Sequence, residues 1–252
     1  MRIAVIGGTG TVGHHTVEAL ARGGHDPLVL SRSRGVDVTT GQGLDEALAG
    51  VDTVIDVSTV QVMDADATPR LFATGTRNIL AAEQRAGVRH HVLLSIVGID
   101  RVKGNPHLAG KRAQEEIVTR SPIPFTIQRA TQFFEFTGDV IEWMRQGDTV
   151  TLPPLLLQPV AAADVGAVLA GVATGAPLGR TTDVAGPDPE DFVDMARRTL
   201  EARGEHLKLV PSWRTGIFGV DMAGEALLPG PDARLLTTTF DAWLESEARV
   251  HA

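Results

Sequence analysis

Arg2-Ile3-Ala4-Val5-Ile6-Gly7-Gly8-Thr9-Gly10-Thr11-Val12-Gly13 is the stretch on which the reading turns. The spacing predicts a β-branched strand over Ile3–Ile6, a loop with four glycines, and then an amphipathic helix with Val12, Val17, Ala19 and Leu20 at apolar positions. This order of strand, glycine loop and helix gives the glycines a physical meaning. A tight turn at a strand end needs residues without a Cβ, and a bound anion needs bare backbone N–H groups within reach. The helix that follows points the positive end of its dipole at that anion. Gly8, Gly10 and Gly13 read GxGxxG, while Gly7, Gly10 and Gly13 read GxxGxxG. Gly10 would let the backbone approach a pyrophosphate, and Gly13 would let the helix lie close to the strand. Gly7, Thr9, Gly10, Thr11, Val12 and Gly13 are therefore the expected phosphate-contacting residues; a glycine turn without a ligand is the alternative.

The next strand, Pro27–Ser31, runs into Ser31-Arg32-Ser33-Arg34. In a dinucleotide-binding βαβ unit this strand end meets the adenosine ribose, where an acidic residue would bind the 2′-hydroxyl of NAD. Two hydroxyls and two guanidiniums stand here instead, and Arg holds phosphate through bidentate, charge-assisted hydrogen bonds. The expectation is a 2′-phosphate pocket formed by Ser31, Arg32, Ser33 and Arg34, hence NADP(H) in preference to NAD(H). The alternative is a solvated basic loop.

Composition bounds the remainder. The 252 residues suffice for one large domain, and 43% hydrophobic residues is ordinary for a globular chain. A formal net charge of −8, without a run of Lys or Arg, leaves no footprint for a nucleic-acid partner. Leu152–Val160 is too short to span a membrane and holds three prolines. With a strand starting at Arg2 no leader is expected, and a cytoplasmic protein is the simplest expectation. The chain has no Cys, so neither disulfides nor thiolate chemistry arise. It also has no Tyr, which excludes any phenolic acid. No metal is expected: His14 and His15, in the first helix turn, read as surface or cofactor-adjacent residues.

Along the chain, a helix over Leu44–Leu48, a strand over Asp52–Val57, a helix over Asp66–Ala86, a strand over His90–Ser95, a helix over His107–Arg120 and a strand over Pro124–Gln128 continue the alternation. Val57, Ser58 and Thr59 fall where a cofactor would cross the third strand. Alternation of this kind predicts an α/β fold, a Rossmann-type doubly wound parallel sheet, with a small C-terminal α+β substrate-binding cap. Residues 1–130 are the expected NAD(P)-binding core, a later strand near 181–185 rejoining its sheet, and residues 131–252 are mainly the cap. Within the cap, helices are expected over Thr131–Gln146, Asp164–Ala173, Pro189–Ala202 and Leu235–Leu244, with a proline-rich link over Pro153–Pro159. Gln132, Phe133, Phe136 and Trp213 are the expected substrate-contacting residues, with core packing as the alternative for the aromatics.

Further segments carry a family resemblance. They are Gly75-Thr76-Arg77-Asn78-Ile79-Leu80 with Ala86-Gly87-Val88, Leu94-Ser95-Ile96-Val97-Gly98, Lys111 followed by Ala113-Gln114-Glu115-Glu116, Pro124–Ala130, Pro159–Val165 and Thr238–Leu244. With the glycine loop, and in this order, the chain resembles the atypical short-chain dehydrogenase/reductases, NmrA-like NAD(P)-binding group. The resemblance implies that Lys111 hydrogen-bonds the nicotinamide ribose and that Ser95 is the active-site serine. It departs at the YxxxK motif, where His107 stands four residues before Lys111 in place of Tyr. Residues at i and i+4 share a helix face, so His107 is either a substitute general acid or a bystander at the helix start.

The expected activity is NADPH-dependent reduction of a small hydrophobic or aromatic carbonyl, enone or quinone. Two alternatives remain open. One is a non-catalytic NADP-binding regulator or redox sensor. The other is a biosynthetic isomerase, cyclase or lyase on the same scaffold. A small-molecule substrate, no membrane partner and a possible homo-oligomer complete the expectations.

Overall fold

The computed structural model describes residues 1–60, 62, 64–214 and 218–250, apart from the side chains of 248–250. Its first half alternates strictly: β1 (Arg2–Ile6), α1 (Thr11–Arg22), β2 (Asp26–Leu30), α2 (Leu44–Leu48), β3 (Thr53–Asp56), α3 (Ala67–Ala86), β4 (His90–Ile96), α4 (Pro106–Thr119) and β5 (Phe125–Ala130). There follow α5 (Phe136–Met144), β6 (Arg145–Gln146), β7 (Thr149–Leu152), β8 (Leu156–Leu157), α6 (Ala162–Thr174), β9 (Gly179–Arg180) and β10 (Val184–Ala185). The last elements are β11 (Glu190–Asp191), α7 (Phe192–Arg203), β12 (Lys208–Pro211), β13 (Arg234–Leu235) and α8 (Phe240–Val250).

The central sheet runs in the order β13-β10-β5-β4-β3-β1-β2, with β9 also on β5. Its pairings are parallel. The Rossmann-type doubly wound sheet is thus the observed fold. Strand alternation supplies both faces. Ile3 and Val5 pack on one side with Val12 and Leu20 of α1 and Val165 and Leu169 of α6. Ala4 and Ile6 pack on the other with Ile79 and Ala82 of α3. Burial on both faces explains why β1 reads as an unbroken apolar run. From β1 the chain steps out to β2 and then crosses back to β3 on the far side of β1. That reversal opens a crevice beyond the carboxyl ends of β1 and β3, where ligands of such sheets bind.

A second apolar core joins much of the later chain to Ile99, Val102 and Leu108. Phe134, Ile141, Leu152, Phe192, Met195 and Phe240 are buried in it. Here the expectations need correction. The helix expected over Thr131–Gln146 spans only Phe136–Met144, because the residues before it are spent on extended pairing. Thr131 N donates to Val184 O, Val160 N to Gln132 O, and Phe134 N to Val160 O. Arg145–Gln146 instead pair with β7. The proline-rich link contains β8, which pairs with β11. The expected tail helix begins at Phe240, since Leu235 is taken by β13 beside β10. Among the described residues, no helix is long and apolar enough to cross a membrane.

Between the sheet and α3, His91 Nδ1 lies 2.7 Å from Glu83 Oε1, and both side chains are fully buried. Burial alone would push the imidazole down, but Glu83 more than offsets this and its pKa stands above the ordinary 6.5. Burial likewise raises Glu83. The folded pair therefore keeps a proton that the unfolded chain releases, so its contribution to stability falls as pH rises above 6.5 through the raised His91 pKa. Urea unfolding of the wild type should show this alkaline loss, and Glu83→Gln should flatten it. Glu83→Ala should cost about 3–5 kcal/mol by leaving the buried imidazole without its partner. An unchanged alkaline slope in Glu83→Gln would contradict this role.

Candidate functional site

The glycine loop sits at the crevice and is tight by construction. Gly7 has φ +82°, and a Cβ there would lie 3.0 Å from Ser58 N and from the Val57 carbonyl. A Cβ on Gly13 would lie 2.1 Å from Gly7 O, so only a glycine lets α1 start this close to the end of β1. Gly10, by contrast, meets nothing nearer than Gly7 O at 3.3 Å. Thr9, Gly10 and Thr11 are exposed while Val12 is buried. No side chain caps the start of α1. Its first-turn N–H groups are therefore offered outward, the arrangement that binds anions.

Beyond β2, Ser31 leads into a single 3₁₀ turn, Arg32–Arg34. The hydroxyls of Ser31 and Ser33 lie 3.0 Å apart. Arg32 and Arg34 are exposed, and neither has an ion-pair partner among the described residues. An acid that sequence reasoning missed, Asp37, stands nearby, but its carboxylate is used locally. It accepts from Thr39 N at 2.8 Å and Thr39 Oγ1 at 2.6 Å, and these bonds hold its pKa below the usual carboxylate value.

At the end of β3 the chain is fixed from below. Asp56 is fully buried; its Oδ1 accepts from Ser58 N at 2.9 Å. Its Oδ2 accepts from Gln114 Nε2 at 3.3 Å, and that amide also donates to Thr76 Oγ1 at 3.0 Å. Lys111 Nζ donates to Ser58 O at 3.3 Å and Leu94 O at 3.1 Å, and lies 5.3 Å from the centre of the Phe72 ring. Burial lowers its pKa, with Asp56 and Glu115 opposing. The structure thus brings Lys111 and Ser58 together, through the Ser58 carbonyl. Val57 and Ser58 are partly buried and Thr59 is exposed. Sequence reasoning passed over Asp56 and Gln114; the available signal was an acid closing an otherwise apolar strand.

Ser95 and His107 are differently placed. Ser95 is 1% exposed. Its hydroxyl is close enough to Glu115 to help depress that carboxyl's pKa, yet makes no well-formed hydrogen bond. Glu115 is held chiefly by Arg129, through Nε at 2.8 Å and Nη2 at 2.7 Å, and by Arg180 at 2.6 Å. Arg129 reaches on to Asp100 at 2.7 Å. His107 packs edge-on against Phe72, ring centres 5.2 Å apart. Burial, with Lys111 adding to it, pushes its pKa down to about 4. At neutral pH the ring is therefore uncharged and has no imidazolium proton to give.

The expected substrate-contacting residues divide between two cores. Phe133 bridges to Val160 and packs on the α1–α6 side of the sheet. Phe136 and Trp213 pack against the cap core. Phe136 meets Trp143 at 5.6 Å and Phe218 at 6.4 Å, and Trp143 is 62% exposed. Gln132 Oε1 is buried without a hydrogen-bond partner.

Comparison with known proteins follows these lines. A family described as NAD(P)H-binding matches residues 7–175. The photosystem II assembly factor Ycf39 of Synechocystis sp. is 28% identical over 149 residues, covering 54% of this chain and 46% of its own. The chain thus spans about half the length of that relative. The (4-alkanoyl-5-oxo-2,5-dihydrofuran-3-yl)methyl phosphate reductase of Streptomyces griseus is 27% identical, covering 98% of this chain and 86% of its own. Among solved structures, MoeE5 in complex with UDP-glucose and NAD superposes with a TM-score of 0.71 at 15% identity over 100% of both chains. That last likeness is one of fold.

The depressed pKa of His107 has a measurable consequence. Between about pH 4 and 6.5 the unfolded histidine binds a proton that the folded one does not, so stability rises with pH across that window. Replacing it in His107→Phe should lower the acid-side slope of ΔG against pH by up to one proton, about 1.4 kcal/mol per pH unit. His90, also pushed down to about 4 by burial, should leave a residual slope. An acid limb identical to wild type would place His107 in solvent.

Proposed function

This chain belongs to the NAD(P)H-binding family, and on that footing we propose that it is an NADPH-dependent reductase of small hydrophobic or aromatic acceptors. One observation carries the reading: a helix start without a side-chain cap and a glycine cradle open beside two exposed guanidiniums, at the reversal of a parallel sheet. The residues fit a dinucleotide. The absence of a Cβ at Gly7 and Gly13 lets the loop and the start of α1 pack against the ends of β1 and β3, the first-turn N–H groups of α1 suit a pyrophosphate, and Arg32 and Arg34 suit a 2′-phosphate. When bound, NADPH supplies a hydride.

The chain's own groups narrow the acceptor. With no Tyr in the sequence and His107 neutral, no phenol or imidazolium waits to protonate an alkoxide. Acceptors whose reduced form is a stabilised anion that takes its proton from water are favoured, namely enones and quinones over simple ketones. The Streptomyces griseus relative supports this choice, since the dihydrofuranone in its name is a conjugated unsaturated carbonyl. Lys111 orients the β3 exit through Ser58 O.

A second reading, a non-catalytic NADP-binding regulator, has its own support. Lys111 is engaged by two carbonyls, Ser95 lies against Glu115, and His107 is packed on Phe72. The assembly-factor relatives also carry no enzyme name. Loss of reduced-nicotinamide absorbance, on mixing NADPH with a panel of enones and quinones, separates the two readings. Arg32→Ala with Arg34→Ala should weaken NADPH at least about tenfold while leaving NADH nearly unchanged. Equal losses for both dinucleotides would refute the 2′-phosphate assignment.

A further inference from the structure

One side-chain cluster near the glycine loop has no part in the reading above. His14 and Glu18 are exposed on α1 and His15 is partly buried beside Gly166 of α6, and their candidate ligand atoms all fall within 4.8 Å of one another. His14 Nε2 is 3.2 Å from Glu18 Oε1, and His15 Nδ1 is 3.8 Å from Glu18 Oε2. The two imidazoles lie with ring centres 5.2 Å apart. The spacing i, i+1, i+4 produces this grouping, because position i+4 on a helix lies over both i and i+1.

We propose that these three side chains form a binding site for a divalent transition cation of the zinc, nickel or copper class. Four-coordinate zinc with bonds of about 2.1 Å holds its ligand atoms about 3.4 Å apart. The His14–Glu18 separation is already close to that distance, and rotation of the His15 side chain brings its nitrogen nearer both Glu18, 3.8 Å away, and His14. Two imidazole nitrogens and one carboxylate suit these metals and not magnesium or calcium, which take all-oxygen sets. All three ligands stand on one turn of one helix, so little backbone order is lost on binding. Their partial exposure leaves the fourth position open to water or to an exogenous ligand.

The test is calorimetric titration of the full chain with ZnCl2 in a non-chelating buffer. It should show saturable uptake of about one equivalent per chain. His14→Ala and Glu18→Gln should each weaken it at least about tenfold, and His206→Ala, an exposed histidine on a distant surface, should leave it unchanged. Zinc should also raise the melting temperature of the wild type and not that of Glu18→Gln, a readout that does not depend on dinucleotide or turnover. MgCl2 should give no saturable signal. Non-saturable zinc binding, uptake that survives both substitutions, or equal binding of magnesium would overturn the proposal.

Discussion

Ser58 is held through both its backbone N–H and its backbone carbonyl, and the mouth of the crevice depends on that grip. Asp56 takes its N–H and Lys111 takes its carbonyl. Gly7 then presses against the same backbone so closely that a side chain there would collide with it. The end of β1, the end of β3 and the start of α4 are thereby locked into one block. The glycine loop has a fixed floor, and the first turn of α1 is set over the crevice without any cap of its own.

The grip belongs to a longer polar seam between the sheet and the α3–α4 layer. Glu83 meets His91, Gln114 ties Asp56 to Thr76, and Glu115 is clamped by Arg129 and Arg180. Buried polar groups are costly unless paired; Glu83 and His91 pair with each other and Gln114 donates to Asp56 and Thr76, while Glu83 Oε2, His91 Nε2, Gln114 Oε1 and Ser95 Oγ make no hydrogen bond among the described residues. Two side chains that the family resemblance marks for chemistry lie in the seam. Lys111 is buried and holds strand ends, and Ser95 sits beside Glu115. This is why the reduction proposed above leans on acceptors that need little help from protein acids.

The parallel core was legible because β1 and the middles of β3 and β4 are apolar runs and the helical segments between strands carry periodic apolar positions. The glycine loop was legible for the same reason: Gly7 and Gly13 stand where a Cβ cannot. The second half was less so. Thr131–Glu135 has helical composition, yet its backbone pairs with Val160 and Val184, a long-range demand that no local pattern encodes. β13 is two residues long and is defined by its neighbour β10 rather than by its own sequence. The ends of β1, β2 and β3 lie side by side, with Gly7 N donating to Leu30 O and Gly7 set against the Ser58 backbone. The state of His107 was not readable, because its neutrality comes from burial against Phe72, a residue 35 positions away in sequence.

The account rests most heavily on the crevice between β1 and β3 as a site for a 2′-phosphorylated dinucleotide. Calorimetric titration of the wild-type chain with NADPH, NADP⁺, NADH and NAD⁺ tests it directly. The account predicts saturable binding with the two phosphorylated forms at least about tenfold tighter than their unphosphorylated counterparts. Equal affinity across the four would remove Arg32 and Arg34 from the site, and no binding of any would contradict the assignment of the crevice itself.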